Sequence, residues 1–94
     1  MSEFSKITIL LATFNRAHLI VETLQSIQNQ TYQNWECLII DDGGTDNTSV
    51  VISPILEQDS RFKFLKRTGS YKKGLPGCRN YGLDLSKGQY VIFF

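Results

Sequence analysis

Two adjacent carboxylates, Asp41 and Asp42, close an apolar run and open the turn Asp41-Asp42-Gly43-Gly44-Thr45-Asp46. At the end of a strand such a pair can accept hydrogen bonds from a nucleobase or ribose, or ligate a metal. The glycines beside them let a ligand or a second backbone come close. A plain capping turn is the competing reading, and Asp46 suits it, because a carboxylate ahead of a helix complements the helix dipole. Asp41 and Asp42 repel each other and a turn has no need of both, so for that pair the functional reading leads. Phe14 follows another apolar run and stands among polar residues. It can stack on a base or pack as an ordinary loop aromatic, and residue type alone leaves both open. Arg79 lies in Gly74-Leu75-Pro76-Gly77-Cys78-Arg79-Asn80-Tyr81-Gly82. There it can hold a diphosphate by charge and paired donors, or sit on a solvated helix face.

The elements that would position these residues alternate. Ile7–Ala12, Trp35–Ile40, Arg61–Leu65 and Gln89–Phe94 read as strands. Between them, Ala17, Ile20, Leu24 and Ile27 recur at helical spacing, with Asn15 as candidate N-cap. A second helix runs through Val50, Val51, Ile55 and Leu56, capped by Thr45 or Asp46, and Pro54 predicts a kink or restart inside it. A third spans Pro76 to Leu85 after a Gly- and Lys-rich loop. The order β-α-β-α-β-α-β with near-continuous apolar strands predicts an α/β fold: a parallel Rossmann-like sheet flanked by helices. In such sheets ligands bind beyond the carboxyl ends of the strands, which points to residues 13–16 and 41–46.

Composition narrows the classes. With 94 residues there is room for one domain, and 20% charged residues exclude a disordered polyionic tail. Ten basic against nine acidic residues leave a net charge of +1, so no nucleic-acid partner is indicated. Lys63, Lys66, Arg67, Lys72, Lys73 and Arg79 form a local basic run, of which Lys72 and Lys73 read mainly as solubilising the loop. Cys37, Cys78 and His18 give no zinc spacing and no disulfide framework, which favours a reducing, cytoplasmic setting. Residues 1–6 lack the layout of a signal peptide, and the run after them is too short to span a bilayer. Neither G-x-G-x-x-G nor G-x-x-x-x-G-K-[ST] occurs, and no serine elbow or Cys-His pair is placed for catalysis.

Taken in order, Thr13-Phe14-Asn15-Arg16-Ala17, Gln30-Thr31-Tyr32-Gln33-Asn34-Trp35-Glu36, Asp41 to Thr48, Gly74 to Gly82 and Lys87-Gly88-Gln89-Tyr90 resemble family 2 glycosyltransferases. The resemblance runs from Ile7 to Phe94 and implies the N-terminal half of a GT-A fold. It implies transfer of a sugar, with inversion, from a nucleotide-sugar donor, usually a UDP-sugar, to a glycan or lipid-linked glycan acceptor in polysaccharide biosynthesis. By the same resemblance Thr13, Phe14 and Asn15 belong to the loop that holds the base, with phenylalanine in place of the usual tyrosine. Asp41 and Asp42 form the acidic turn, with Asp42 as acceptor of the uracil N3–H, and Arg79 lies near the nucleotide. Ala12 replaces a usual proline, Gly44 a usual serine, and Pro54 is unusual in its helix.

The resemblance also implies an Asp-x-Asp motif that holds Mg²⁺ or Mn²⁺ on the donor diphosphate, and a general base further along. Both are expected after Phe94. Residues 1–94 are thus expected to be the nucleotide-sugar-binding part of a domain cut before that motif, holding no metal and inactive alone. Apolar surface at Phe93 and Phe94 leads to an expectation of self-association. The full-length protein is expected at the cytoplasmic face of a membrane. A non-catalytic nucleotide-binding module is the alternative. A phosphotransfer receiver ranks below both, because strand one here ends in Thr13-Phe14-Asn15 and not in an acidic pair.

Overall fold

A computed structural model describes residues 6–94; the leader reading at the N-terminus rests largely on residues 1–5, outside the described residues. Four strands and three helices alternate along the chain as β1 (Ile7–Thr13), α1 (Ala17–Gln28), β2 (Trp35–Asp41), α2 (Thr48–Gln58), β3 (Phe62–Lys66), α3 (Leu75–Leu85) and β4 (Tyr90–Phe93). The strands form one sheet in the order β3-β2-β1-β4, every pair parallel. The predicted alternation is what the chain adopts, and element ends differ from the sequence reading by a residue or so.

Layering follows from connection handedness. The steps β1 to β2 to β3 march one way, and right-handed crossovers place α1 and α2 on one face. From β3 the chain returns past β2 and β1 to β4, so the same handedness puts α3 on the other face. Two apolar clusters record this. Ile20, Leu24 and Ile27 of α1 and Ile52 of α2 pack on Ile9, Leu11, Cys37 and Ile39. Cys78 of α3, with Tyr81, packs on Leu10, Leu38 and Ile40. Alternate residues of β1 and β2 therefore serve opposite cores, which is why both strands read as continuous apolar runs. Each fully buried aliphatic side chain stabilises the fold by about 1.5–3 kcal/mol relative to exposure.

Two polar devices pin the amino-terminal end of the sheet. The Thr8 hydroxyl donates to Glu36 Oε2 at 2.6 Å, the Lys87 N–H donates to the same oxygen at 2.8 Å, and the Gly88 N–H donates to Thr8 Oγ1 at 2.9 Å. Burial pushes the Glu36 carboxyl up, but the Thr8 and Lys87 donors outweigh it and hold it below its usual value. The turn into β4 is thereby tied to β1 and β2. At the start of β3, Arg61 stacks on Trp35 with 3.9 Å from Cζ to the ring centroid and donates to both carboxylate oxygens of Asp59. Those donors hold the Asp59 carboxyl at about 2.

Two expectations are corrected. Pro54 does not restart α2, which runs as a single helix over Thr48–Gln58. Pro54 and Val50, whose carbonyl loses its partner, are both solvent-exposed, so water can take that bond. Asn15 does not cap α1. The N-cap is Arg16, without a side-chain cap bond, and Asn15 takes a left-handed φ of 51°.

Candidate functional site

The carboxyl ends of β1 and β2 are in register, Thr13 beside Asp41, and the Asp42 N–H continues the ladder by donating to the Thr13 carbonyl at 2.9 Å. The loops that leave these two strands hold each other. Asn15 Oδ1 accepts the Thr45 and Asp46 N–H groups at 2.8 and 3.2 Å. Asp46 returns the bond, Oδ2 accepting the Ala17 N–H at the start of α1 at 3.0 Å. Its Oδ1 accepts the Thr48 N–H at the start of α2 at 3.2 Å. One carboxylate thus serves two helix starts, although the N-cap residue of α2 is Asn47 and not the expected Thr45 or Asp46. The Thr48 and Ala17 donors hold its carboxyl below the usual range. Asn15 is spent on clamping the two loops together.

Between α1, β1 and the start of α3 lies a cleft of about 400 Å³ lined by Thr13, Phe14, Arg16, Asp42, Gly74 and Cys78 among others. Phe14 is 45% exposed, so it is not packed as a core aromatic, and Lys73 Nζ stands 5.5 Å from its ring centroid. Thr13 is buried, and its Oγ1 has no hydrogen-bond partner among the described residues. A buried hydroxyl left unmade costs free energy unless something supplies the bond.

Asp42 is the most heavily bonded group of the cleft. Its Oδ1 accepts Arg67 Nε at 2.6 Å, the Gly74 N–H at 3.1 Å and the Cys78 thiol at 3.5 Å. Among the described residues Oδ2 accepts only the shared Gly74 N–H, at 3.0 Å. Burial pushes the Asp42 carboxyl up, but the Gly74 N–H and the Arg67 guanidinium outweigh it and hold it below the usual range. The Cys78 thiol moves the other way, to about 11, through burial and the Asp42 charge.

The loop between β3 and α3 delivers these partners. Arg67 also donates from Nη1 to the Tyr71 carbonyl at 2.7 Å and the Thr68 carbonyl at 3.2 Å, folding the loop back on itself. Gly74, at φ 105°, turns its N–H onto Asp42, a conformation a side chain would strain. Gly77 lets the loop seat on α3, because a Cβ there would overlap the Lys72 carbonyl oxygen.

The predicted site residues therefore divide. Thr13, Phe14 and Asp42 converge on the cleft. Asp41 does not: it is buried and lines a separate small cavity with Thr48, Phe64 and Lys66, on the α2 side of the sheet. Neighbours along an extended strand point to opposite faces, so adjacency in sequence separates the two carboxylates in space. Arg79 is also outside the cleft lining; its guanidinium lies 4.5 Å from the Phe93 ring centroid, against β4. Sequence reasoning missed Arg67, Lys73 and Gly74, which it took as parts of a basic run and of a Gly- and Lys-rich loop. No spacing signals an arginine that pairs with an aspartate 25 residues away. Among the described residues no group of three or more His, Cys, Asp or Glu side chains is placed to hold a metal ion. The described residues do not fit a divalent cation.

An exposed aromatic face and a carboxylate with one oxygen still open can together receive a flat heterocycle that carries an N–H donor. The family model "Glycosyl transferase family 2" matches residues 8–94. The chain is 35% identical, over 94% of its length and 28% of the relative's, to a GalNAc(5)-diNAcBac-PP-undecaprenol beta-1,3-glucosyltransferase of Campylobacter jejuni. It is 37% identical, over 93% of its length and 33% of the relative's, to the UDP-Glc:alpha-D-GlcNAc-diphosphoundecaprenol beta-1,3-glucosyltransferase WfgD of Escherichia coli. It thus spans about a third or less of these curated relatives. Among solved structures, the mannosyltransferase PcManGT of Pyrobaculum calidifontis in complex with GDP-Man and Mn²⁺ superposes with a TM-score of 0.82 at 24% identity. That likeness covers 96% of this chain and 27% of that one, and bears on the fold alone.

Proposed function

Since this chain belongs to glycosyl transferase family 2 and has the GT-A type of sheet, we propose that it is the donor-nucleotide half of a transferase that uses a UDP-sugar. The observation that carries this reading is the convergence of Phe14 and Asp42 on one cleft beyond the strand ends, lined also by Thr13. The uracil ring stacks on Phe14 and its N3–H donates to the open oxygen of Asp42. Stacking of a base on an aromatic contributes about 1–3 kcal/mol. The donor name carried by the Escherichia coli relative, UDP-Glc, supports uracil as the base.

The reaction of the whole protein is then a single displacement. An acceptor hydroxyl attacks the anomeric carbon, the bond to the diphosphate oxygen breaks, and the configuration inverts. The undecaprenyl diphosphate-linked acceptors in both relatives' names support a lipid-linked glycan acceptor, and with it work at the cytoplasmic face of a membrane. Among the described residues no helix is long and apolar enough to cross one. A divalent cation on the diphosphate belongs to parts of the protein outside residues 1–94, as does the base that takes the acceptor proton. Residues 1–94 alone bind the nucleotide without transferring sugar and self-associate. A two-dimensional amide NMR titration with UDP, ADP and CDP tests the reading. Selective shifts at Phe14 and Asp42 with UDP are expected. Equal shifts with all three, or none, would remove the uracil assignment, and sugar transfer by the isolated chain would remove the claim of inactivity.

A further inference from the structure

The two oxygens of Asp42 are not equivalent, and the difference bears on which base the cleft accepts. A carboxylate oxygen has about two lone-pair positions. Oδ1 is filled by Arg67 Nε, the Gly74 N–H and the Cys78 thiol, whereas Oδ2 carries only the shared Gly74 N–H among the described residues. Arg67 is in turn fixed, with its Nη1 tied to two carbonyls of its own loop and its side chain only 13% exposed. Asp42 therefore meets the cleft as a single acceptor.

We propose that Arg67 sets base specificity by covering Oδ1 of Asp42, so that the cleft reads one N–H flanked by carbonyls and rejects the paired N–H donors of guanine. The inference rests on the uracil reading above. Uracil offers one imide N–H between two carbonyls. Its flanking carbonyl would be repelled by a bare anionic oxygen, and meets instead an oxygen already covered by a guanidinium. Guanine offers two adjacent donors, N1–H and N2–H, whose spacing suits both oxygens of a free carboxylate. With Oδ1 filled, its amino group is left desolvated and unbonded, which is discrimination by an unmade bond. Arg67 is a positioning residue: it acts on the base through Asp42.

The test is a set of titrations of the 94-residue chain, monitored by amide NMR, with UDP, 3-methyl-UDP, GDP and IDP, whose base lacks the 2-amino group of guanine. In the unaltered chain UDP is expected to bind about tenfold more tightly than GDP, the ratio corresponding to one hydrogen bond to a charged group. GDP is expected to bind more weakly than IDP, because its amino group is desolvated and finds no acceptor. Arg67→Met removes the shortest of the three donors on Oδ1 and leaves the shared Gly74 N–H and the long Cys78 contact, so GDP gains over IDP and the preference for UDP narrows. Arg67→Lys keeps an ammonium on Oδ1 and restores the original order. Tyr71→Phe, which removes only the loop's bond to Asp84, changes all four affinities in proportion. GDP binding more tightly than IDP in the unaltered chain would overturn the proposal without any variant having to fold. So would Arg67→Met weakening UDP and GDP equally, the mark of a merely structural arginine. If 3-methyl-UDP binds as well as UDP, or none of the four binds, the uracil reading itself fails and takes this proposal with it.

Discussion

Phe14 and Asp42 separate binding from stability in different ways. Phe14 is nearly half exposed and touches the core little, so Phe14→Ala is expected to leave the urea midpoint within about 0.5 kcal/mol of the parent. It is expected to weaken UDP by roughly fivefold to a hundredfold, the range set by about 1–3 kcal/mol of stacking. Unchanged affinity would return Phe14 to an ordinary loop aromatic. Asp42 is bonded on both sides, and its carboxyl is held below its usual value. Its anion, and the stability it lends the loop, are therefore fully present above the usual carboxylate pKa and fade only as pH falls through the lowered one. Binding of uridine, which has no phosphate to titrate, should then stay level from neutral pH down to about pH 4. With Asp42→Asn it should be weak throughout, and a uridine affinity already collapsing near pH 6 would contradict the assignment. At this scale the sequence was half legible. Residue type pointed to Phe14 and Asp42, which the fold brings to one cleft, but not to Asp41 facing away or to Asn15 and Asp46 exchanging bonds between loops. Those outcomes depend on strand pleat and on loop-to-loop distance, which are tertiary quantities.

At the scale of elements, periodicity and breakers located every strand and helix, and the failure at Pro54 is instructive. A proline within a helix removes one backbone bond and crowds the preceding turn, an effect of about 3 kcal/mol relative to alanine. That cost did not divide α2, because Ile52 is buried and holds the helix on the sheet while Pro54 faces water. Tertiary burial overrode local propensity. Pro54→Ala is accordingly expected to raise stability by about 1–2 kcal/mol, after allowing for the greater freedom it gives the unfolded chain. The check is the midpoint and slope of urea unfolding, and no gain would mean that the proline-containing turn is unstrained as it stands. The β3–α3 loop shows the opposite failure. Residues 67–74 read only as a Gly- and Lys-rich loop, yet Arg67, Gly74 and Tyr71 strap it to Asp42 and α3. Side-chain bonds across long separations have no periodic signature, so this part of the site was invisible in the sequence.

For the whole molecule the two sheet edges are unlike, and the contrast predicts how copies meet. At one edge β3 carries exposed Lys63 and Lys66, charges that discourage pairing with another strand. At the other, β4 and its flank expose Tyr90, Ile92, Phe93 and Phe94 without a charged residue among them. Arg79 covers one face of Phe93, while Ile92 points away from the α3 side. An uncharged apolar edge with free backbone donors and acceptors favours edge-to-edge association of the 94-residue chain. Ile92→Lys places a charge on that edge without touching either core cluster. Sedimentation velocity across a concentration series is expected to show growth of a dimer in the parent chain and a monomer in the variant. The cleft lies at the carboxyl ends of β1 and β2 and shares no residue with this edge, so both chains should bind UDP alike when compared as monomers at low concentration. A parent chain that stays monomeric at high concentration would show that Arg79 and the strand's short length already protect the edge. Equal association in both chains would instead move the contact to another surface, of which the exposed Leu75, Leu83 and Leu85 of α3 form the next apolar group.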